Sequence, residues 1–327
     1  MRHTLALLIS AVALMLQSCD TSILKPSISG APYEVLVVAE DNEWKSETGK
    51  AVYDMLNSNM PGTPQQESMF KISHITPQNF TNTINIARNI LIFNVSDKYS
   101  KAKLAYRKDA WAQPQAVVQI TAPNNEAFVA LLDNHHENIC EYFVDAERKR
   151  QAAYYQKYYN TENTKIACET FGIETRLPAN QIKSKMGKDF FWSSNMNVDV
   201  RQDVIIYTFP YTDPDTFTEK YLLDKRDSVL KANIPGPSKG SYMATERQFP
   251  PIFKSFKKND SYCAEIRGWW KVEGDLMGGP FIAHWQVDEK NGRVVCIEGF
   301  VYAPGQSKRN FIRQLEAVVY ATKIKTK

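Results

Sequence analysis

Past residue 18 the chain has no apolar run approaching the ~20 residues that a helix needs to cross a bilayer, so no second membrane element is expected. Charge of one sign is also scarce. The 40 Lys and Arg residues nearly balance 36 Asp and Glu, a net charge of +4. That balance gives no basic footprint for nucleic acid. Cysteine is sparse: only Cys140, Cys168, Cys263 and Cys296 follow residue 19, widely spaced. A disulfide scaffold and a CxxC metal or redox site are both excluded. Either a Cys263–Cys296 bridge or four buried thiols fits that count. No phosphate loop is present either. Gly278-Gly279-Pro280 lacks the Lys-Ser/Thr and the following helix, and reads as a tight turn before a strand.

What is present begins at the N-terminus. Arg2 and His3 precede an apolar stretch, Leu5 to Leu16, which ends at Gln17-Ser18-Cys19. A basic start, a short apolar region and a small residue before the cut are the anatomy of a secretory signal. Leu16-Gln17-Ser18-Cys19 resembles the bacterial lipobox, whose Cys becomes the lipidated first residue of the mature protein. Cys19 is therefore the expected lipidation site, with palmitate among its chains. Loss of residues 1–18 removes Arg2 alone among the charges, and +4 becomes +3. Residues 19–32 are small, polar and Pro-containing and read as a tether. No acidic cluster follows Cys19, so an outer-membrane anchor facing the periplasm is expected rather than surface export.

The body reads as two domains, 33–160 and 161–327. In the first, apolar strands at 33–39, 70–75, 89–95 and 116–121 alternate with a helix over 44–58, an α/β pattern. One long helix from about Asn124 to Tyr159 follows. Phe128, Leu132, Ile139 and Phe143 form its apolar stripe, and its far end carries Glu147-Arg148-Lys149-Arg150 and four tyrosines. At 1.5 Å per residue it outreaches a small domain, so it is read as a connector, with the tyrosines packing between domains. The second domain reads as α+β. Its expected strands are 171–178, 190–192 and 203–208, then three long antiparallel strands at 262–272, 281–288 and 293–302. Asn291-Gly292 is a hairpin signal. Helices are expected at 215–232 and 308–323.

Arg267-Gly268-Trp269-Trp270, Met277-Gly278-Gly279-Pro280-Phe281, Glu298-Gly299-Phe300-Val301-Tyr302-Ala303-Pro304 and Arg313-Gln314-Leu315-Glu316-Ala317 resemble a Bacteroidota lipoprotein family, domain of unknown function 4837, across the mature chain. That resemblance implies an envelope lipoprotein and carries no activity, cofactor or catalytic residue. The order of elements in the second domain is loosely similar to Mog1/PsbP-like sandwiches, a fold analogy without functional content.

Three constellations could carry chemistry. Gly236-Pro237-Ser238-Lys239-Gly240 matches G-x-S-x-G, and Asp275 and His284 follow in triad order. A nucleophile elbow needs a strand before the serine and a helix after it, and neither is expected here. His136 and Cys140 stand i, i+4 on the long helix with no third ligand in sequence. The third lies on the C-terminal sheet. If the alternating faces of its strands coincide, Arg267, His284 and Glu298 share a surface, with Trp269 beside them as a platform. That surface is a candidate small-ligand site. The competing reading is an ion pair by the last helix, completed by Arg313 or Glu316. The sequence thus points to a lipid-anchored envelope protein with a binding or assembly role. Its partners would be the membrane, through its lipid, and an envelope protein or small ligand. No cofactor, metal or catalytic residue is expected, and a hydrolase is the least favoured reading.

Overall fold

The computed structural model describes residues 25–259 and 261–325. Cys19 and its lipobox lie outside the described residues. The apolar run Glu34–Val38 forms β1, which pairs in parallel with β2 (Lys71–Ile75) and β3 (Asn89–Val95). β3 pairs in parallel with β5 (Ala116–Ala122), and the polar β4 (Lys103–Lys108) closes the edge antiparallel to β5. The order is β2-β1-β3-β5-β4. β3 and β5 are nearly continuous apolar runs because both of their faces are covered. The expected first helix is two: α1 (Asp41–Trp44) and α2 (Glu47–Leu56). The expected tether is also shorter than 19–32. Ser27 and Ser29 bridge to Gln113 and Ala87, so residues 26–30 lie on the first domain.

The long helix α3 spans Asn125–Lys157, opened by the Asn124 side chain, which accepts from the Ala127 N–H at 2.9 Å. Phe128, Leu132, Ile139 and Phe143 bury its first two-thirds against the parallel sheet, and Tyr155 enters the core of the second domain. The connector reading holds, but half of the tyrosines do not pack between domains. Tyr154 and Tyr158 are exposed and lean on each other, their ring centroids 4.9 Å apart and their planes tilted by 39°.

In the second domain, α4 (Thr161–Phe171) occupies a stretch that carried no helix expectation. Gly172, in the left-handed region, ends it, and the two-residue strand β6 (Ile173–Glu174) follows. The main sheet is antiparallel throughout, in the order β10-β12-β13-β14-β9-β8-β7, with β11 also on β12. Its strands are β7 (Lys183–Gly187), β8 (Phe190–Ser194), β9 (Arg201–Pro210), β10 (Tyr242–Thr245), β11 (Ile252–Lys258), β12 (Ser261–Glu273), β13 (Gly278–Asp288) and β14 (Arg293–Tyr302). Helix α5 (Glu219–Asn233) covers one face with Leu222, Leu223 and Leu230 over Tyr207, Phe281 and Trp285. Helix α6 (Arg309–Ala321) covers the other with Ile312, Leu315 and Val319 over Ile206, Ile282 and Ile297. Each such side chain contributes about 2 kcal/mol by burial. β15 (Lys323–Ile324) returns to pair with β6. Gly278 and Gly279 are strand residues, not the expected turn. A Cβ on Gly279 would stand 1.9 Å from the Val301 carbonyl oxygen, so only glycine lets β13 and β14 close at this point.

Candidate functional site

The register of the long strands decides the predicted constellation. Glu265 of β12 pairs with His284 of β13, and His284 pairs with Ile297 of β14. Arg267, His284 and Glu265 therefore face α6. Glu298 pairs with Ala283 and faces α5, so the expected shared surface does not form. The physical reason is parity. An even number of residues in the β13–β14 connection pairs even-numbered residues with odd-numbered ones, and a one-residue change would exchange the faces. Glu298 instead binds Arg226 of α5, with Nε and Nη2 at 2.8 and 2.6 Å from its carboxylate oxygens. Trp269 is half-buried on the α6 face, with the Lys308 ammonium 5.9 Å above its ring.

The α6 face is closed rather than open. Glu316 of α6, 1 % exposed, accepts from Arg267 at 2.9 Å, Arg313 at 2.9 Å and, across the domain boundary, Arg148 of α3 at 2.7 Å. Arg267 turns its Nε to Glu265 at 2.7 Å, and Glu265 bonds His284 Nε2 at 2.8 Å. Lys258 lies 3.2 Å from His284 Nδ1 and donates to the Val319 carbonyl. Tyr320 covers the cluster, its ring 3.7 Å beneath the Arg148 guanidinium. Arg267 is thus an ion-pair residue by the last helix, with Glu316 and Arg313 completing it. Burial works against the Glu316 carboxylate, but Arg267, Arg313 and Arg148 outweigh it and hold the group well below the usual carboxylate range. Burial together with the Lys258 charge pushes His284 down to about 4, so at neutral pH it is an uncharged bridge. Burial brings the Lys258 ammonium down to about 8.

A second contact reinforces this clasp. Glu67, in the loop before β2, accepts from the backbone N–H groups of Lys308 and Arg309 at 2.8 and 2.7 Å. It caps α6 from the other domain, where Lys308 makes no cap bond of its own. Gly62 in the same loop has φ +81, and a Cβ there would come within 3.0 Å of Arg267 Cβ.

The remaining constellations separate. Ser238 lies on an exposed loop, its carbonyl accepting from Ser241, with α5 before it and β10 after it. His284 is fully buried on the far side of the sheet, so no Ser–His pair forms. His136 bonds its own helix at the Asp133 carbonyl, whereas the Cys140 thiol turns inward toward Met55. Cys263 and Cys296 face opposite sides of the sheet and are free thiols. In the first domain the switch point between β1 and β3, where open α/β sheets take ligands, is stoppered by Glu43, which accepts from Val95 N–H at 2.6 Å.

One concavity is built differently from the rest. A cleft of about 250 Å³ opens at the end of the sheet on the α5 face. Trp192, Trp270, Phe300 and Tyr302 wall it, and Asp203 and Arg201 form its polar part. Asp203 Oδ1 accepts from Trp192 Nε1 at 2.8 Å and Arg201 Nε at 3.1 Å. Asp203 Oδ2 accepts no hydrogen bond, although Arg201 Nε lies 3.1 Å away. Burial pushes the Asp203 carboxyl up against the pull of Arg201. Exposed Met196 and Val198 in the β8–β9 loop, and Leu276 beside Met277, stand at the same end.

Sequence reading passed over Arg226, Arg148, Glu147 and Asp203. Arg226 did leave a signal, since it occupies the apolar stripe of Leu222 and Leu230, where a charge implies a buried partner. Glu147 and Arg148, in the charged far end of the long helix, are both buried, with Glu147 held by Arg88 and Arg150 at 2.8 Å.

No curated protein matches the chain. Among solved structures, the Saccharomyces cerevisiae Ran-binding protein Mog1p aligns over 47% of this chain and 90% of its own length, at 9% identity and a TM-score of 0.30. That similarity is too weak to bear on function. The resemblance expected across the mature chain covers its second domain only, and the first matches a separate family. Residues 28–156 match the domain of unknown function DUF8532, and residues 160–321 match the domain of unknown function DUF4837.

Proposed function

We propose that this protein is a lipid-anchored component of a Bacteroidota cell envelope, acylated at Cys19 and held at the outer membrane facing the periplasm. Its two domains act there as one binding body rather than as an enzyme. The clasp is the observation that carries this reading. Arg267, His284 and Glu265, the groups that could have met a ligand on an open sheet face, are engaged with one another and with Glu316, which Arg148 of the first domain also binds. A joined pair presents one continuous surface to an envelope partner. Among the described residues no helix is long and apolar enough to cross a membrane.

The test is metabolic labelling with radioactive palmitate of cells expressing the full chain or its Cys19→Ala variant, followed by membrane fractionation. Label and outer-membrane recovery in the parent, both lost in the variant, are the expected result. Equal recovery of the two proteins in the membrane fraction would refute the anchor. Crosslinking of intact envelope that returns no reproducible partner would count against the binding role.

A further inference from the structure

We infer that the cleft between Trp192, Trp270 and Tyr302, with Asp203 at its polar side, is a binding site for one neutral pyranose ring. This deepens the binding role proposed above and rests on it.

The walls specify the shape. The indole N–H groups are already engaged, Trp192 by Asp203 at 2.8 Å and Trp270 by the Val301 carbonyl at 3.1 Å. The rings therefore present no free donor; the Arg201 guanidinium lies 5.1 Å from the centroid of Trp192 over one face, and the remaining aromatic surface suits the C–H face of a sugar. Trp270 and Tyr302 have centroids 6.2 Å apart, and Trp270 meets Phe300 edge-on at 5.6 Å, so the wall is held by packing.

The polar groups specify the chemistry. Asp203 is completely buried, and its Oδ2 has unfilled acceptor capacity. A buried oxygen of this kind takes a donor from the Ser194 hydroxyl paired opposite it, from water or from a ligand. Of the Arg201 donors only Nε makes a hydrogen bond to the described residues, which leaves guanidinium donors beside that acceptor. Donor and acceptor side by side match the dual character of a hydroxyl. Asp203 and Arg201 already neutralise one another, so an ionic ligand would bring an uncompensated charge into a buried site. That argues against a quaternary ammonium, which aromatic walls alone would otherwise suit.

Size sets the limit. At about 250 Å³ the cleft lies below the ~300–1,000 Å³ of sites for drug-sized ligands, and takes one ring rather than a chain buried end to end. About a dozen heavy atoms support a Kd in the millimolar range.

The experiment uses the full chain purified from membranes in lauryldimethylamine oxide, a detergent without a sugar headgroup. Saturation-transfer NMR would titrate glucose, galactose and N-acetylglucosamine, with tetramethylammonium and indole as the competing chemistries. Saturable millimolar binding of at least one sugar is expected. It should be weakened at least tenfold by Asp203→Asn and abolished by Met277→Trp, which fills the mouth. Should Met277→Trp fail to fold, Tyr302→Ala removes the half-buried wall and should weaken binding as strongly. Absence of saturable sugar binding, survival of binding in the folded variants, or saturation by tetramethylammonium or indole in place of sugar overturns the inference. Palmitate labelling and membrane recovery are scored separately, so a failed cleft and a failed anchor give different results.

Discussion

Replacement of Glu316 by Gln tests the clasp most directly. The carboxylate is 1 % exposed and receives three guanidiniums, from Arg148, Arg267 and Arg313. The amide keeps the shape and removes the charge. Two of the three guanidiniums, those of Arg148 and Arg313, then lose their one buried carboxylate, and Glu265 remains for Arg267 alone. Breaking a buried ion pair by removing one partner costs about 3–5 kcal/mol. For a unit of this size each kcal/mol lowers Tm by roughly 2–4 °C. Differential scanning calorimetry should therefore place the Glu316→Gln transition about 6–20 °C below the parent. Glu141 supplies the internal control. It pairs with the same Arg148 at 3.1 Å, but its side chain is 61% exposed, and Glu141→Gln should cost well under 1 kcal/mol. Because Arg148 belongs to the first domain's helix, Arg148→Met should also separate one cooperative transition into two. A Glu316→Gln protein within 2 °C of the parent would refute the argument.

Two further outcomes follow from the same region. His284 has a folded pKa of about 4, below the ~6.5 of an unfolded histidine, so the unfolded chain binds the extra proton first. Stability should therefore fall as pH drops from about 7 to 5, by about 2 kcal/mol from this residue, and a urea-midpoint series in His284→Gln should lack that portion of the slope; an unchanged slope would refute the assignment. Glu67→Ala removes the cap that the first domain lends to α6 and should cost about 1–2 kcal/mol in equilibrium urea unfolding, whereas an unmoved midpoint would show that solvent satisfies those N–H groups equally well.

Periodicity made the apolar elements readable. β1, β3, β5, the three long strands β12 to β14, α3 and α6 all announce themselves through buried stripes. Three strands without a sequence expectation, β4, β7 and β11, lie at sheet edges and are largely exposed and lysine-rich; with one side in water they need no alternation. The misplacement of Glu298 has a different origin. Alternation fixes the face of a residue within its own strand, and only the register between strands decides whether two faces coincide. The hairpin itself held the answer. The four-residue connection 289–292, with Asn291-Gly292 at its end, pairs even positions with odd ones, which separates His284 from Glu298. The clasp was only half legible. Glu316 and Arg313 were visible as charges on an apolar helix, whereas Arg148 is local in neither sequence nor domain. Its partner lies 168 positions away, and a charge run on a long helix has the same pattern whether water or a carboxylate meets it.

The docking of residues 26–30 onto the first domain fixes a length. With Ser27 and Ser29 bridged to Gln113 and Ala87, acylation at Cys19, as proposed above, would leave only residues 20–25 between the lipid and the docked segment. At about 3.3 Å per residue that stretch reaches at most roughly 20 Å, shorter than α3 itself. A protein anchored in that way would ride close to the bilayer with the rim around Ala87 and Gln113 turned toward the lipid, and any partner would have to be another resident of that thin layer.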